Sequence, residues 1–375
     1  MRGALKLFTG FGIPVFLHWT FGLIFIYILW YAQSEGLTIM ETVWMTGLFM
    51  ALFLCVLLHE YGHALAARRY GVKTRDIVLM PIGGVARLER MPEKPIQEFI
   101  VAIAGPLVNV VIAIVLLVLI WLLADPIHLE MLQVAFTQGS ENVVIEEIPQ
   151  LLQFAINLAG TNIVLVLFNM IPAFPMDGGR VFRALLSMKT GRPKATKIAA
   201  WVGQAIAMLL VMYGLWNDRF MLAVLGLFVI LGARSENDMV QTEDLMSRFS
   251  VKDIVRYQFT RLRANDWMLS AIELMKHSLE RHFLVFDLND NLMGVIEEDQ
   301  IIQAMNKSDV TSEIGNHLHR AETVKLSDSL LRVNYLIRQQ GVGIVAVTDA
   351  EGAIVGVIDD RGLAKVVRLT ERRKP

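Results

Sequence analysis

The chain has 375 residues, of which 54% are hydrophobic and 19% charged, with a formal net charge of -1. An ordinary soluble domain carries about 45–50% apolar and about 25% charged residues, so one water-soluble globule is excluded, as are disordered and collagen-like chains. The near-zero charge argues against a nucleic-acid partner held by bulk positive charge, and a single cysteine, Cys55, excludes a disulfide scaffold and a thiolate metal cluster.

Charge is unevenly distributed. Of the first 244 positions 35 are charged, against 36 of the last 131, and the long apolar runs stop near Ser235. The expected organisation is a membrane domain over 1–240 followed by a water-soluble domain. Six stretches have a length and apolarity that suit membrane spans: 14–33, 43–67, 99–124, 151–172, 198–216 and 219–234. The first lacks a small-residue cleavage site and is crowded with Trp and Tyr, so it reads as a span rather than a cleaved leader. The last two are short enough to form one broken hairpin. Spans one, three, five and six contain no acidic residue.

Loop charge orients these spans. The segments 68–98 and 177–197 are rich in Lys and Arg, whereas 34–42 and 125–150 contain none. Positive loops stay on the cytosolic side, which predicts a multi-pass protein of the cell membrane with both termini in the cytosol. Within 68–98, the run DIVLMPIGGVARLER reads as a β-hairpin around Gly83-Gly84, lying beside the membrane with one strand edge unpaired.

The second span carries His59-Glu60-Tyr61-Gly62-His63. Positions four apart share a helix face, so His59 and His63 can bind one metal ion, and Glu60 lies beside them. A zinc ion there would lower the pKa of a water, and Glu60 would take its proton as the oxygen attacks a carbonyl. Ionisable groups cost about 2.5–3.5 kcal/mol each at the centre of a membrane helix, so packing alone does not account for such a cluster. A catalytic zinc needs a third protein ligand. The stretch Asn169-Met170-Ile171-Pro172-Ala173-Phe174-Pro175-Met176-Asp177-Gly178-Gly179 breaks the fourth span with two prolines, and its glycines permit close backbone approach. Asp177 is the favoured third ligand, with a helix N-cap as its alternative. The metal sits about 14 Å below the cytosolic end of its helix, at 1.5 Å per residue from His59 to Arg68. Cys55 reads as packing, and Asn109 as an interhelical hydrogen-bonding group beside Gly105.

The soluble part repeats itself. At an offset of 62, Asp266 falls on Asp328, Asp287 on Asp349, and Gly294-Val295-Ile296 on Gly356-Val357-Ile358. Each unit reads as helix, strand, turn, strand, helix, with modules over 245–306 and 307–370.

HEYGH and the N-x-x-P-x-x-P-x-D-G-G motif together resemble the site-2 protease family of intramembrane zinc metalloproteases. Ala104-Gly105-Pro106-Leu107-Val108-Asn109 resembles a further stretch of that family, and the tandem repeat resembles a pair of CBS modules, as in the family's sporulation-protease branch. The resemblance implies an α-helical polytopic membrane domain of about six helices with a membrane-associated hairpin, plus a soluble α/β CBS pair. It implies one Zn2+ per chain on His59, His63 and Asp177, with Glu60 as base, and it supports Asn169 as a group that holds substrate backbone or polarises the scissile carbonyl, with an interhelical hydrogen bond as its alternative. The substrate would be a transmembrane protein. The alternative is a divalent-metal transporter or channel regulated by the CBS pair, which requires neither the glutamate between the histidines nor a broken helix delivering one aspartate. Positions that hold phosphate and ribose in nucleotide-binding CBS modules are Glu297, Gln300, Asp359 and Gly362 here, and acidic side chains repel phosphates. A nucleotide effector is therefore expected to bind weakly or not at all, leaving dimerisation as a second use of the pair.

Overall fold

The computed structural model describes residues 3–81, 83–89, 92, 94–127, 149–306 and 310–371. By internal contacts the chain divides into a unit over 1–237 and a unit over 238–375.

The N-terminal unit opens with two antiparallel strands, β1 (Ala4–Gly10) and β2 (Ile13–His18), joined at Phe11-Gly12, both in the left-handed region. A short helix α1 (Gly22–Ser34) follows, then the long α2 (Ile39–Arg69). Thr38 starts α2 with a capping box, its hydroxyl oxygen accepting from the Glu41 N–H while Glu41 accepts from the Thr38 N–H. Next come β3 (Thr74–Met80) and β4 (Gly83–Leu88), then α3 (Pro95–Leu123), whose proline occupies the first turn where no N–H is needed. After α4 (Gln150–Asn169) the chain leaves the helix, and α5 (Asp177–Thr190) begins after seven intervening residues. The unit ends with α6 (Arg192–Trp216) and α7 (Phe220–Ser247), the latter running past the division between units.

The first expected span is corrected. Residues 13–18 are strand, and α1 has only 13 residues, about 20 Å at 1.5 Å per residue, against about 30 Å of hydrocarbon. β2 pairs in parallel with β3 through Val15–Ile77 and Leu17–Leu79, so backbone pairing claims the start of that apolar run. Among the described residues five helices, α2, α3, α4, α6 and α7, are long and apolar enough to cross a membrane. The last two are longer than their apolar runs, and residues 217–219 join them. Most of the 125–150 loop lies outside the described residues.

The expected hairpin is β3–β4, with Ile77 opposite Ala86 and Val78 opposite Val85. It belongs to a four-stranded sheet of order β1-β2-β3-β4, which the sequence did not disclose because β2 and β3 are separated by two helices. One face buries Ile13, Val15, Ile77 and Leu79 against Leu57, Tyr61 and Ala64 of α2. The sheet is thereby fixed to the helix carrying the HEYGH motif, and β4 is its edge strand.

A buried charge cluster ties three helices together. Arg183 of α5 is fully buried; its Nε donates to Glu98 of α3 at 2.7 Å, and its Nη1 donates to Glu236 of α7 at 2.6 Å. The guanidinium also lies 5.0 Å from the centre of the Phe174 ring. Glu98 and Glu236 fall just outside the spans delimited from sequence yet inside α3 and α7, so these helices do carry acidic residues.

The C-terminal unit holds two three-stranded sheets. In the first, β5 (Arg261–Arg263) is parallel to β6 (Phe283–Phe286), which is antiparallel to β7 (Leu292–Ile296). Helices α8 (Met268–His277) and α9 (Glu298–Asn306) complete that module. The second repeats it with β8 (Glu322–Lys325), α10 (Leu330–Asn334), β9 (Ile344–Thr348), β10 (Ile354–Asp359) and α11 (Asp360–Glu371). This is the tandem α/β architecture expected from the repeat. Its matched residues serve matched purposes. Asp266 and Asp328 accept the Arg263 and Lys325 N–H groups, and Asp287 and Asp349 close the two hairpin turns. A side chain on Gly294 would strike the His319 carbonyl, and one on Gly356 the Arg256 carbonyl, so each glycine admits the crossing strand that bridges its sheet. Leu284, Phe286 and Val295 pack on Ile344, Ala346 and Val357, joining the two modules in one core.

Arg183→Met would strand Glu98 and Glu236 as uncompensated carboxylates inside the bundle. The expected loss is about 3–5 kcal/mol of stability, read as a lowered unfolding midpoint of the detergent-solubilised chain. An unchanged midpoint would mean the cluster is not stabilising the native arrangement.

Candidate active site

His59 and His63 stand one turn apart on α2, and both are buried. Their Nε2 atoms lie 3.1 Å apart. Asp177, the first residue of α5, places Oδ2 3.2 Å from the Nε2 of His59 and 3.1 Å from that of His63. The sequence separation is over a hundred residues. It is closed because the chain breaks between α4 and α5 and turns back. A side chain at Gly178 would meet the Ile171 carbonyl at 2.3 Å, and one at Gly179 the Ala173 carbonyl carbon at 2.6 Å. The Asp-Gly-Gly sequence is thus what lets α5 begin inside the fold with its first carboxylate facing α2.

The third wall is α3. A side chain on Gly105 would come within 2.2 Å of the His63 Nε2 and 2.7 Å of the His59 Nε2. Gly62, on α2 between the histidines, sits where a side chain would meet the Ala104 carbonyl at 2.7 Å. These two glycines bring the helix backbones close enough for α3 to cover the imidazoles.

Hydrogen bonds fix which imidazole nitrogen is free. The Asn162 amide nitrogen donates to the Leu158 carbonyl at 2.8 Å, which turns its Oδ1 toward the Asn109 Nδ2 at 2.7 Å. Asn109 then presents Oδ1 to the His59 Nδ1 at 2.5 Å, so that nitrogen carries the proton. The Nδ1 of His63 donates to the Val101 carbonyl at 2.7 Å. Both rings therefore offer a lone pair at Nε2, toward the Asp177 carboxylate. Three electron-rich atoms this close repel unless a cation lies among them. Tetrahedral zinc with nitrogen and oxygen ligands at about 2.0–2.1 Å sets neighbouring ligand atoms about 3.3 Å apart, near the spacing found here. The donor set and its outer hydrogen bonds fit zinc.

Glu60 is half-buried beside the ligands, and its Oε2 accepts the Ala86 N–H of β4 at 2.8 Å. A side chain at Gly84 would meet the Glu60 Cγ at 2.8 Å, so β4 lies directly over this residue. Glu60, the two histidines, Asp177, Ala86 and Asn169 share a cleft of about 430 Å3. The five residues nominated from sequence are thus all in one place.

Three features were missed. Asn162 is a fully buried amide in an apolar helix, two turns before Asn169, and polarity at that depth was the available signal. The Ala86 N–H is a backbone group and carries no sequence mark. Asn109 does join helices, as read, but it also orients a ligand histidine. Cys55 is buried packing that accepts from the Asn162 amide at 3.4 Å.

Apolar helices that enclose two histidines and a carboxylate, with a glutamate beside them in an open cleft, define a membrane metallopeptidase. The chain belongs to peptidase family M50, whose profile matches residues 47–213. It is 38% identical over 256 residues to a zinc metalloprotease of Methanocaldococcus jannaschii, covering 68% of this chain and 67% of that one. It is 22% identical over 263 residues to stage IV sporulation protein FB of Bacillus subtilis, covering 68% and 82%. Among solved structures it is similar to a site-2 protease from Methanocaldococcus jannaschii, at 38% identity and a TM-score of 0.45, over 62% of this chain and 95% of that one.

Asn109→Ala removes the acceptor that holds the His59 tautomer. Outer hydrogen-bond partners of metal ligands are worth about 10–100-fold in affinity, and zinc binding should weaken by that factor in a competition titration with a chelator. Unchanged affinity would assign Asn109 to helix packing alone.

Proposed function

We infer that this chain is a zinc-dependent intramembrane protease that hydrolyses a peptide bond in or near a transmembrane segment of a membrane-protein substrate. The observation that carries the reading is the buried His59–His63–Asp177 triad, with Glu60 beside it under the edge strand β4. Zinc, when bound by His59, His63 and Asp177, supplies a Lewis acid that lowers the pKa of a water and polarises a carbonyl. Glu60 takes the proton of the attacking water and returns it to the leaving amine nitrogen. Asn169, at the end of α4 on the cleft wall, holds substrate backbone or the scissile carbonyl.

A substrate helix hides its carbonyls in hydrogen bonds and must unwind before attack. Strand β4 is the edge of its sheet, and an extended substrate adding to it would keep its backbone satisfied in an apolar surrounding. The transport reading loses support because Glu98 and Glu236 are bound to Arg183 rather than spaced as ligands along a path.

The chain resides in the cell membrane with both termini cytosolic, as its basic loops require, and releases its fragment to the cytosol. The CBS pair regulates or dimerises. Glu297 accepts the Gly343 N–H at 2.8 Å, Gln300 accepts the Glu297 N–H at 2.9 Å, and Asp359 accepts the Gly362 N–H at 2.9 Å. Side chains so engaged, two of them acidic, make poor partners for phosphate, so adenine nucleotides should bind weakly if at all.

Two measurements test these statements. Glu60→Gln should keep one zinc per chain and lose cleavage by about 10²–10⁴-fold, the usual worth of a general base; retention of more than about a hundredth of the wild-type rate would remove Glu60 from that role. A reporter active only outside the cytosol should stay silent after Pro375 and work when inserted near Gln138. The reverse pattern would overturn the orientation.

A further inference from the structure

Two arginines stand three residues apart on α5, and the fold treats them differently. Arg183 is fully buried and neutralised by Glu98 and Glu236. Arg180 is half-buried on the wall of the cleft that holds Glu60, Asn169 and the three zinc-ligand candidates. It lies three positions after Asp177, on the same helix face. Among the described residues no hydrogen bond or ion pair occupies its guanidinium, although Asp177 and Glu236 are both near enough to feel its charge. A guanidinium drawn out of water normally finds a carboxylate, as Arg183 does. One left open in a reaction cleft has donors to spare for a negative charge that arises there.

The reaction makes such a charge. A divalent zinc, when bound, would offset the charge of the Asp177 and Glu60 carboxylates. When the water oxygen bonds to the scissile carbon, the carbonyl π pair moves onto its oxygen and the water proton moves to Glu60. Negative charge has then left Glu60 and appeared on the substrate oxygen. When the C–N bond breaks, that pair re-forms the carbonyl, and Glu60 gives its proton to the amine nitrogen. We propose that Arg180 is a catalytic residue that donates to the oxyanion of the tetrahedral intermediate during this transfer. A fixed cation on the cleft wall needs no reorganisation to meet the charge, and the poorly solvated surroundings strengthen its effect. The assignment rests on the protease reading, and it gives the wall of the cleft contributed by α5 a second task besides delivering Asp177.

The test uses the full zinc-loaded chain in detergent, a fluorogenic transmembrane peptide with a Gly-rich unwound centre, and a phosphinic pseudopeptide that mimics the tetrahedral anion. Arg180→Gln should retain one zinc per chain and change KM by less than about twofold, because the charge is absent in the ground state. Its kcat should fall about 10²–10³-fold, the usual cost of removing one oxyanion donor. Affinity for the phosphinic peptide should fall by the same factor, which a merely structural role would not produce. Arg180→Lys, keeping the charge without the planar fork, should recover part of both losses. Arg180→Met serves if the glutamine variant does not accumulate. Loss of zinc in both neutral variants, a kcat within about tenfold of wild type, or a lower kcat with undiminished phosphinic-peptide affinity would each overturn the proposal. Wild-type chain that binds zinc but neither cleaves the peptide nor responds to Glu60→Gln would instead overturn the protease reading beneath it.

Discussion

The fold turns on three ligand atoms held within 3.2 Å of one another in a medium that penalises every one of them. Two imidazoles and a carboxylate do not converge in an apolar bundle by packing preference. Convergence requires α2 and α3 to touch backbone to backbone, which Gly62 and Gly105 permit, and it requires α4 to stop so that α5 can begin beside them. What holds the assembly is distributed: Asn109 and Asn162 below the histidines, the Val101 carbonyl behind His63, and the Arg183 cluster behind α5. Each partner satisfies a polar group that lipid or apolar side chains would leave unpaired, so the polar network is as much a membrane requirement as a catalytic one.

The sheet answers a different constraint. Hydrolysis needs an extended peptide and some water, yet neither is tolerated at depth unless protein surrounds it. The four-stranded sheet brings backbone donors and acceptors over the site already paired on one side, with β4 as the edge strand beside Glu60. The Ala86 N–H reaches Glu60, so the edge strand is hydrogen-bonded to the carboxylate beside the two histidines. Glu60, Ala86, Asn169 and Arg180 all line that one cleft.

The soluble unit obeys the economy of a repeat. Each α/β module has a core of its own, and Leu284, Phe286 and Val295 of the first pack on Ile344, Ala346 and Val357 of the second in a further, shared cluster. The glycines at 294 and 356 and the turn aspartates at 287 and 349 keep their places because each module needs the same crossing and the same hairpin. Glu297 and Asp359 lie at the ends of β7 and β10, where each accepts a backbone N–H group.

Much of this was legible in the residues themselves. Membrane character, loop polarity, the repeat and its offset, and His59, Glu60 and His63 as a helical metal face all follow from local chemistry at fixed spacing, which one-dimensional pattern preserves. Asp177 was legible more weakly, as a carboxylate in a helix broken by Pro172 and Pro175. The tertiary structure alone decided the rest. Parallel pairing of β2 with β3 took residues 13–18 out of the first expected span, because hydrogen bonding between segments some sixty residues apart leaves no local trace. Asn162 mattered only once Asn109 lay opposite it, and Arg180 and Arg183, three residues apart in the same basic loop, acquired opposite fates from what α3 and α7 placed beside them. Sequence fixes which groups can do chemistry; their protonation, pairing and exposure belong to the neighbours that folding supplies.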